Sequence, residues 1–168
     1  MSNDINNNNL ILNTVWTLWY HSCENKSWDI NSYQKISKIS TILEFWQLYN
    51  SITNNNLQFG MYFLMREDIL PMWEDSLNKN GGCWSFKVMK KETYSAWFEL
   101  SIAAIGEMIM LSDEYIKHIN GITISPKKNF SIIKIWLSDK NLNHISYLNN
   151  KIPNFNFEDA IFKPHVED

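Results

Sequence analysis

Cysteine is scarce. Cys23 and Cys83 are the only two in 168 residues, which excludes a disulfide framework and a four-ligand cysteine zinc site. Positive charge is not in excess either. Lys and Arg total 15 against 18 Asp and Glu, for a net charge of −3 and a pI near 5.8. Sequence-blind binding to nucleic acid normally needs a basic surface, so DNA is excluded as a partner and any basic site is small and local. No apolar run reaches the roughly 18 residues of a membrane helix; the longest candidate, 102–111, is broken by Gly106 and Glu107. The opening stretch has neither the basic nor the apolar segment of a signal peptide, and residues 1–9 read as a disordered, Asn-rich tail. Asn25-Lys26-Ser27 and Asn129-Phe130-Ser131 fit the glycosylation pattern, which has no meaning without secretion. His21, His118, His144 and His165 are scattered without metal-ligand spacing, and neither a Gly-rich phosphate loop nor a nucleophile elbow is present. The expectation is a cytoplasmic, non-enzymatic protein with no metal, cofactor or membrane partner.

What is present points to a packed core. The chain is 45% hydrophobic and 20% charged, a globular composition, and residues 10–168 read as one domain without repeats or linkers. Asn supplies 22 residues and Ile 21, against 4 Ala and 3 Val, a bias that AT-rich codon usage explains. It does not explain 8 Trp. Val15–Tyr20 is β-branched and aromatic and predicts a strand, followed by a polar loop over about 21–40. Thr41 and Glu44 form a capping-box pattern, opening a helix that buries Phe45, Leu48, Tyr49 and Ile52 and leaves Ile42 and Trp46 on a neighbouring stripe. Residues 60–66 predict a strand, Gly81-Gly82 a turn, and Trp84, Phe86 and Val88 one face of a further strand. Residues 93–111 predict a helix with two apolar stripes, Trp97, Leu100 or Ser101, Ala104 and Met108 on one, and Phe98, Ile102, Ile105 and Ile109 on the other. A helix packed on one side needs only one stripe, so the second requires a partner or burial on both sides. Gly121–Ile124 and Ser131–Leu137 predict a hairpin in which Trp136 shares a face with Ile132 and Lys134, away from Ile133, Ile135 and Leu137. Residues 141–150 predict a helix and 155–163 a last short strand. The sum is an α+β domain, helices on one face of a curved antiparallel sheet, the other face open and Trp-lined.

Trp28 and Trp73 fall in polar, loop-like segments. An indole left out of the core forgoes a few kcal/mol of burial. Two of them either fold back onto the core or sandwich a flat ring. Glu74, beside Trp73, can accept the paired N–H donors of a guanine edge, and a cationic base between two indoles gains about 0.5–2 kcal/mol of cation–π attraction. Lys127 and Lys128 offer positive charge for phosphates.

Taken together these residues resemble eukaryotic translation initiation factor 4E, the messenger-RNA cap-binding family. The resemblance rests on Trp16-x2-Trp19-Tyr20, Lys26-x-Trp28, Glu44-Phe45-Trp46-x-Leu48-Tyr49-Asn50, Pro71-Met72-Trp73-Glu74-Asp75, Gly81-Gly82-x-Trp84, Trp97-x-Glu99, Ile105-Gly106-Glu107 and Ile133-x-Ile135-Trp136. It implies a cupped sheet of about eight strands with three helices packed on its convex face. It implies that Trp28 and Trp73 sandwich 7-methylguanine, that Glu74 bonds the base edge and that Trp136 touches the N7-methyl group. It gives Lys127 and Lys128 to the cap phosphates, Lys127 in place of an arginine and so without its planar fork. On the helical surface it implies a groove of Leu12, Ile42, Trp46, Phe98, Glu99 and Ile102 for the short helical motif of an initiation scaffold or repressor, which gives the second stripe of 93–111 its partner.

The chain departs from the family's pattern in places. Leu10-Ile11-Leu12 stands where the family has His-Pro-Leu, Cys83 stands where it has an arginine after the double glycine, and its longer C-terminal loop has little counterpart before Asp168. The implied function is binding of 5′-capped messenger RNA and recruitment of a scaffold to initiate translation. The alternative is a cap-binding competitor that represses translation, with a divergent or missing scaffold partner.

Overall fold

Residues 10–166 are described by the structure, a computed structural model; the stretch 1–9, expected to be a disordered tail, lies outside them. Strand alternation organises the chain. Along β1 (Ile11–Ser22), Trp16 and Leu18 are fully buried on one face, while Thr17, Trp19 and His21 turn to the other, opposite Met65, Phe63 and Met61 of β3 (Gly60–Arg66). The same division runs through β2 (Tyr33–Thr41), β4 (Gly82–Met89), β5 (Ile119–Pro126), β6 (Phe130–Leu137) and β7 (Ile161–Pro164). The seven strands form one sheet, in the order β2-β1-β3-β5-β6-β4-β7, with every pairing antiparallel. This is the α+β architecture expected, one strand short of the eight anticipated.

Helices cover one face: α1 (Ile42–Tyr49), α2 (Asn56–Phe59), α3 (Thr93–Ile105) and α4 (Asp113–Ile116). Phe45 and Tyr49 of α1 and Trp97, Leu100 and Ala104 of α3 join Trp16, Leu64, Trp84, Phe86, Ile122, Ile133 and Ile135 in the main core. The capping box expected for α1 is formed: Thr41 Oγ1 accepts from the Glu44 N–H at 3.1 Å, and Glu44 Oε2 accepts from the Thr41 N–H at 3.0 Å. Across the core, Tyr49 donates to Ser101 at 2.8 Å. Among the described residues no helix is long and apolar enough to cross a membrane.

Several expectations are corrected. The polar stretch 21–40 is not all loop, because β1 runs to Ser22 and Tyr33–Thr41 is the edge strand β2. Its alternation is hidden by a register shift, where Leu18 and Trp19 face Ser37 and Lys35 and leave Ile36 extra. The helix expected at 141–150 is absent apart from a 3-10 turn at Ile145–Tyr147. Asp139 Oδ1 takes the Asn141 N–H, His144 Nδ1 the Ser146 N–H and Asn149 Oδ1 the Lys151 N–H, and such local side-chain bonds compete with helical ones. The last strand is confined to Ile161–Pro164 rather than 155–163. Gly82 starts β4 rather than a turn, and Gly81 lies so close to the Leu137 carbonyl that a Cβ would overlap it.

Helix α3 also stops six residues before the expected end, and its two stripes differ from expectation: Ile105 and Ile109 are buried while Met108 is exposed. Glu107 adopts φ 57°. The Met108 N–H returns to the Ala103 carbonyl at 2.7 Å and the Glu107 N–H to the Ala104 carbonyl at 3.1 Å, the Schellman pattern. A left-handed non-glycine residue costs on the order of 1–2 kcal/mol, offset here by what the Glu107 side chain does. Its carboxylate receives both arms of Arg66, each at 2.8 Å, and the Thr14 hydroxyl at 3.0 Å. Arg66, the only arginine in the chain, also donates to the Ile119 carbonyl at 2.6 Å and stacks over Trp16. The pair thus ties β1, β3, β5 and the end of α3 together.

Both side chains of this pair are close to nine-tenths covered. Removing one partner leaves the other charge buried and uncompensated, so Arg66→Met should cost about 3–5 kcal/mol, read as a fall in the urea midpoint. A loss below about 1 kcal/mol would show that the pair does not anchor the fold.

Candidate functional site

The face opposite the helices carries a cavity of about 660 Å³. Trp28, from the β1–β2 loop, and Trp73 and Glu74, from the β3–β4 connection, line it together with Lys127 at the β5–β6 turn and Trp136 of β6. Residues separated by up to 108 positions in sequence thus share one concavity. Of the eight tryptophans, the three most exposed are Trp28 at 53%, Trp73 at 48% and Trp46 at 43%. Lys128 is exposed on the same turn as Lys127 but outside the lining.

Trp28 is held from below. Its ring lies flat on His21, centroids 4.3 Å apart and planes 1° from parallel. His21 is fully buried, and its Nε2 sits 2.8 Å from the Ser27 carbonyl, so that nitrogen carries the proton and donates. Nδ1 is buried without a partner. Tyr33 packs at a tilt on the same group. Burial, and after it the negative charge of Glu74, pushes the Tyr33 hydroxyl up to about 12, so it stays protonated.

Trp73 and Glu74 sit on a short loop with little regular structure, fixed by three polar side chains. Asp75 accepts from the Leu70 and Leu77 N–H groups at 3.1 and 2.8 Å. Asn78, fully buried, donates to the Leu70 and Met72 carbonyls at 2.9 and 2.7 Å. Asn120 of β5 donates to the Leu77 carbonyl and to Asn78 Oδ1, at 2.7 and 2.9 Å. Pro71 is buried against the cavity wall. The indole and carboxylate are thereby presented from a rigid base. Sequence reasoning missed Asn78 and Asn120 because Asn is so common here that none stood out, and missed His21 because a lone histidine carries no spacing signal.

Trp136 is as expected turned away from the main core, yet it is buried, in a second cluster with Phe63, Met65, Ile69 and Cys83. Its indole N–H donates to Thr123 at 2.7 Å, fixing one edge while the other meets the cavity. Cys83 lies beside Trp136 in the strand register, and His165 packs on both, its ring 5.0 Å from the indole and its Nε2 3.7 Å from the sulfur. Burial pushes the Cys83 thiol up to about 12. Burial, then the charge of Lys134, pulls His165 down to about 4. Both are neutral at physiological pH.

The chemistry available is recognition. Two exposed indoles at one concavity can stack a flat ring, a carboxylate can accept from its edge, and lysines can meet an anion. Among the described residues no group of three or more His, Cys, Asp or Glu could hold a metal.

A second surface lies on the helical side. Trp46 stands beside Phe98, centroids 5.6 Å apart, with Tyr94 stacked on Phe98 at 6.2 Å. Ile42 is exposed, Leu12, Phe98 and Ile102 are half-buried against the core, and Glu99 is partly exposed beside them in α3. Leu12 follows Ile11, which pairs with Thr41 at the start of α1.

The chain matches the family described as eukaryotic initiation factor 4E over residues 11–165. It is 35% identical to eukaryotic translation initiation factor 4E1 of Drosophila melanogaster over 136 residues, covering 77% of this chain and 51% of the relative. It is 34% identical to the human eukaryotic translation initiation factor 4E over 135 residues, covering 76% and 60%. The chain therefore spans little more than half the length of these curated relatives. Among solved structures it is similar to Caenorhabditis elegans eIF4E-3 in complex with the 4E-binding protein Mextli and a cap analog, with a TM-score of 0.71, 30% identity and coverage of 79% and 76%. It is also similar to Ascaris suum eIF4E-3 with m7G cap, with a TM-score of 0.71, 28% identity and coverage of 80% and 76%.

The neutral His165 sets a pH dependence. Unfolded, the group titrates near 6.5; folded, near 4. Between these values the unfolded chain binds more protons, so stability is full above about pH 6.5 and falls as pH drops toward 4. His165→Gln should lose less stability than the parent between pH 7.5 and 4.5 in urea unfolding. Equal losses would mean that His165 does not titrate as described.

Proposed function

The chain belongs to the eukaryotic initiation factor 4E family, and we propose that it binds the 7-methylguanosine 5′ cap of messenger RNA and recruits a protein partner through its helical face to initiate translation. Residues 10–168 form the cap-binding domain, the role is binding without catalysis, and its place of action is the cytoplasm. The observation that carries the reading is the single cavity lined by Trp28, Trp73, Glu74, Lys127 and Trp136, together with relatives that hold an m7G cap or a cap analog.

In this reading the methylated base, which carries a positive charge, enters between Trp28 and Trp73. Stacking of a base on an aromatic side chain contributes about 1–3 kcal/mol, and the cation gains more between electron-rich faces. Glu74 accepts from the two N–H donors of the guanine edge, the Trp73 backbone N–H meets O6 and Trp136 touches the N7-methyl group. Lys127, and beside it Lys128, draw the phosphates. The partner surface is the exposed Trp46 with Ile42, Leu12, Phe98, Glu99 and Ile102, a groove suited to a short amphipathic helix. The C. elegans relative is bound to a 4E-binding protein, which supports a partner on this chain too. Leu10-Ile11-Leu12, which lacks the family's His-Pro, favours the second reading in which the partner differs and the chain competes for caps.

Titration of intrinsic Trp fluorescence with 7-methyl-GTP beside GTP tests the site. Strong quenching by the methylated nucleotide alone is expected. Glu74→Gln replaces a charged acceptor with a neutral amide and should weaken 7-methyl-GTP binding by at least about tenfold, the scale of a charge-assisted hydrogen bond. Equal quenching by both nucleotides, or full affinity in the Gln variant, would remove the cap assignment. Trp46→Ala should leave cap affinity unchanged while reducing capture of a peptide carrying the family's scaffold motif; unchanged capture would displace the partner surface from α1 and α3.

A further inference from the structure

Resting on the cap reading, we propose that Lys134, projecting from the middle of β6, is the principal phosphate-binding cation of this cavity, acting with Lys127, and that it makes affinity depend on the number of cap phosphates.

The chain has a single arginine, and its guanidinium is committed to Glu107, Thr14 and the Ile119 carbonyl on the helical face. Recognition of an anion on the open face therefore falls to lysine. Two lysines line the cavity, Lys127 and Lys134. Lys127 is exposed at the β5–β6 turn, where solvent screens its charge and a flexible stem must be ordered on binding. Lys134 is different. It is half-buried, held in a strand with neighbours on both sides, and its register partners are Thr123 of β5 and Ser85 of β4. The period of two puts it on the same face as Trp136, two residues on.

Its charge is held in no ion pair. Among the described residues the ion pairs are Lys38–Asp68 and Arg66–Glu107, so Lys134 has no carboxylate partner. The nearby groups on which its charge acts, the Cys83 thiol and the His165 imidazole, are neutral at physiological pH. An ammonium engaged in no ion pair is available to an arriving phosphate, with which it makes a charge-assisted hydrogen bond. The position where the family carries an arginine is here Cys83, a buried thiol that offers no charge. Lys134 brings a cation to that corner from the neighbouring strand. The cavity is then divided by sign: Glu74 for the cationic base, Lys134 and Lys127 for the anionic chain.

The experiment compares 7-methylguanosine with its mono- and triphosphates, by Trp fluorescence, on the parent, Lys134→Met and Lys134→Arg. The parent should gain affinity from nucleoside to triphosphate. Lys134→Met should lose at least about tenfold of that gain, the scale of a charge-assisted contact, while binding the nucleoside as the parent does; Lys134→Arg should keep most of it. A Met variant with the parent's full phosphate gain overturns the inference and leaves base recognition standing. A Met variant that loses nucleoside and triphosphate binding equally overturns it too, since the lysine would then act only on structure. A parent that binds none of the three compounds overturns the cap reading and this inference with it.

Discussion

The pleat of the sheet is the constraint on which the rest depends. Successive side chains on a strand point to opposite faces, so each strand here serves two surfaces with one sequence. Along β6, Ile133, Ile135 and Leu137 fill the core under the helices, while Ile132, Lys134 and Trp136 face the cavity. Along β1, Trp16 and Leu18 are core, and His21 supports Trp28. A slip of one residue in any pairing would exchange the two sets. The register is therefore fixed by the apolar face, and the binding face inherits its geometry from that requirement. Arg66 and Glu107 reinforce this from the core side by fastening β1, β3 and β5 to the end of α3.

Binding groups set on loops need rigid support if they are to be ready for a ligand. The two exposed indoles obtain it differently. Trp28 rests on a buried ring whose tautomer is set by one backbone carbonyl. Trp73 rides on a loop pinned by Asp75, Asn78 and Asn120. In both cases polar atoms are buried beneath an apolar surface left open, the reverse of the usual distribution. Such an arrangement forgoes burial of two large side chains, and it is sustained by local hydrogen bonds beneath them, with His21 Nδ1 alone of these groups left without a partner.

Much of this was legible in the sequence. The elements built on clear periods, α1 with its capping box, β3, β4, β6 and the body of α3, followed from residue spacing. The unburied tryptophans stood out because Trp is too costly to leave in polar loops without reason. What was missed has physical causes. Strand β2 is an edge strand rich in Lys and Ser, and its extra residue at Ile36 breaks the period of two. The segment 141–150 had apolar spacing, yet its Asp, His and Asn side chains satisfy the backbone locally. Lys134 was seen only as a member of a face, since nothing in a sequence tells a lysine bordered by carboxylates from one bordered by a thiol and an imidazole. The supports Asn78 and Asn120 were masked by composition.

The two surfaces lie on opposite sides of one sheet, and β2, like β1, reaches both. Tyr33, at its start, lines the cavity and packs on His21 and Phe63; Thr41, at its end, caps α1, which carries Trp46. An edge strand has hydrogen-bonded partners on one side only, so it is the part of a sheet most able to shift. Its bulge falls between the two ends, where a local change of twist can be absorbed without moving β1, whose other edge is paired with β3 from Trp16 to Ser22. Ordering of Tyr33 by a ligand is thus damped before it reaches Thr41. Coupling between distant sites needs an element with two discrete arrangements that both sites bias. A strand interrupted by a bulge, beside a neighbour paired on both edges from Trp16 to His21, favours independent action, so the sheet separates the recognition of a base from the recognition of a helix while holding both in fixed relation.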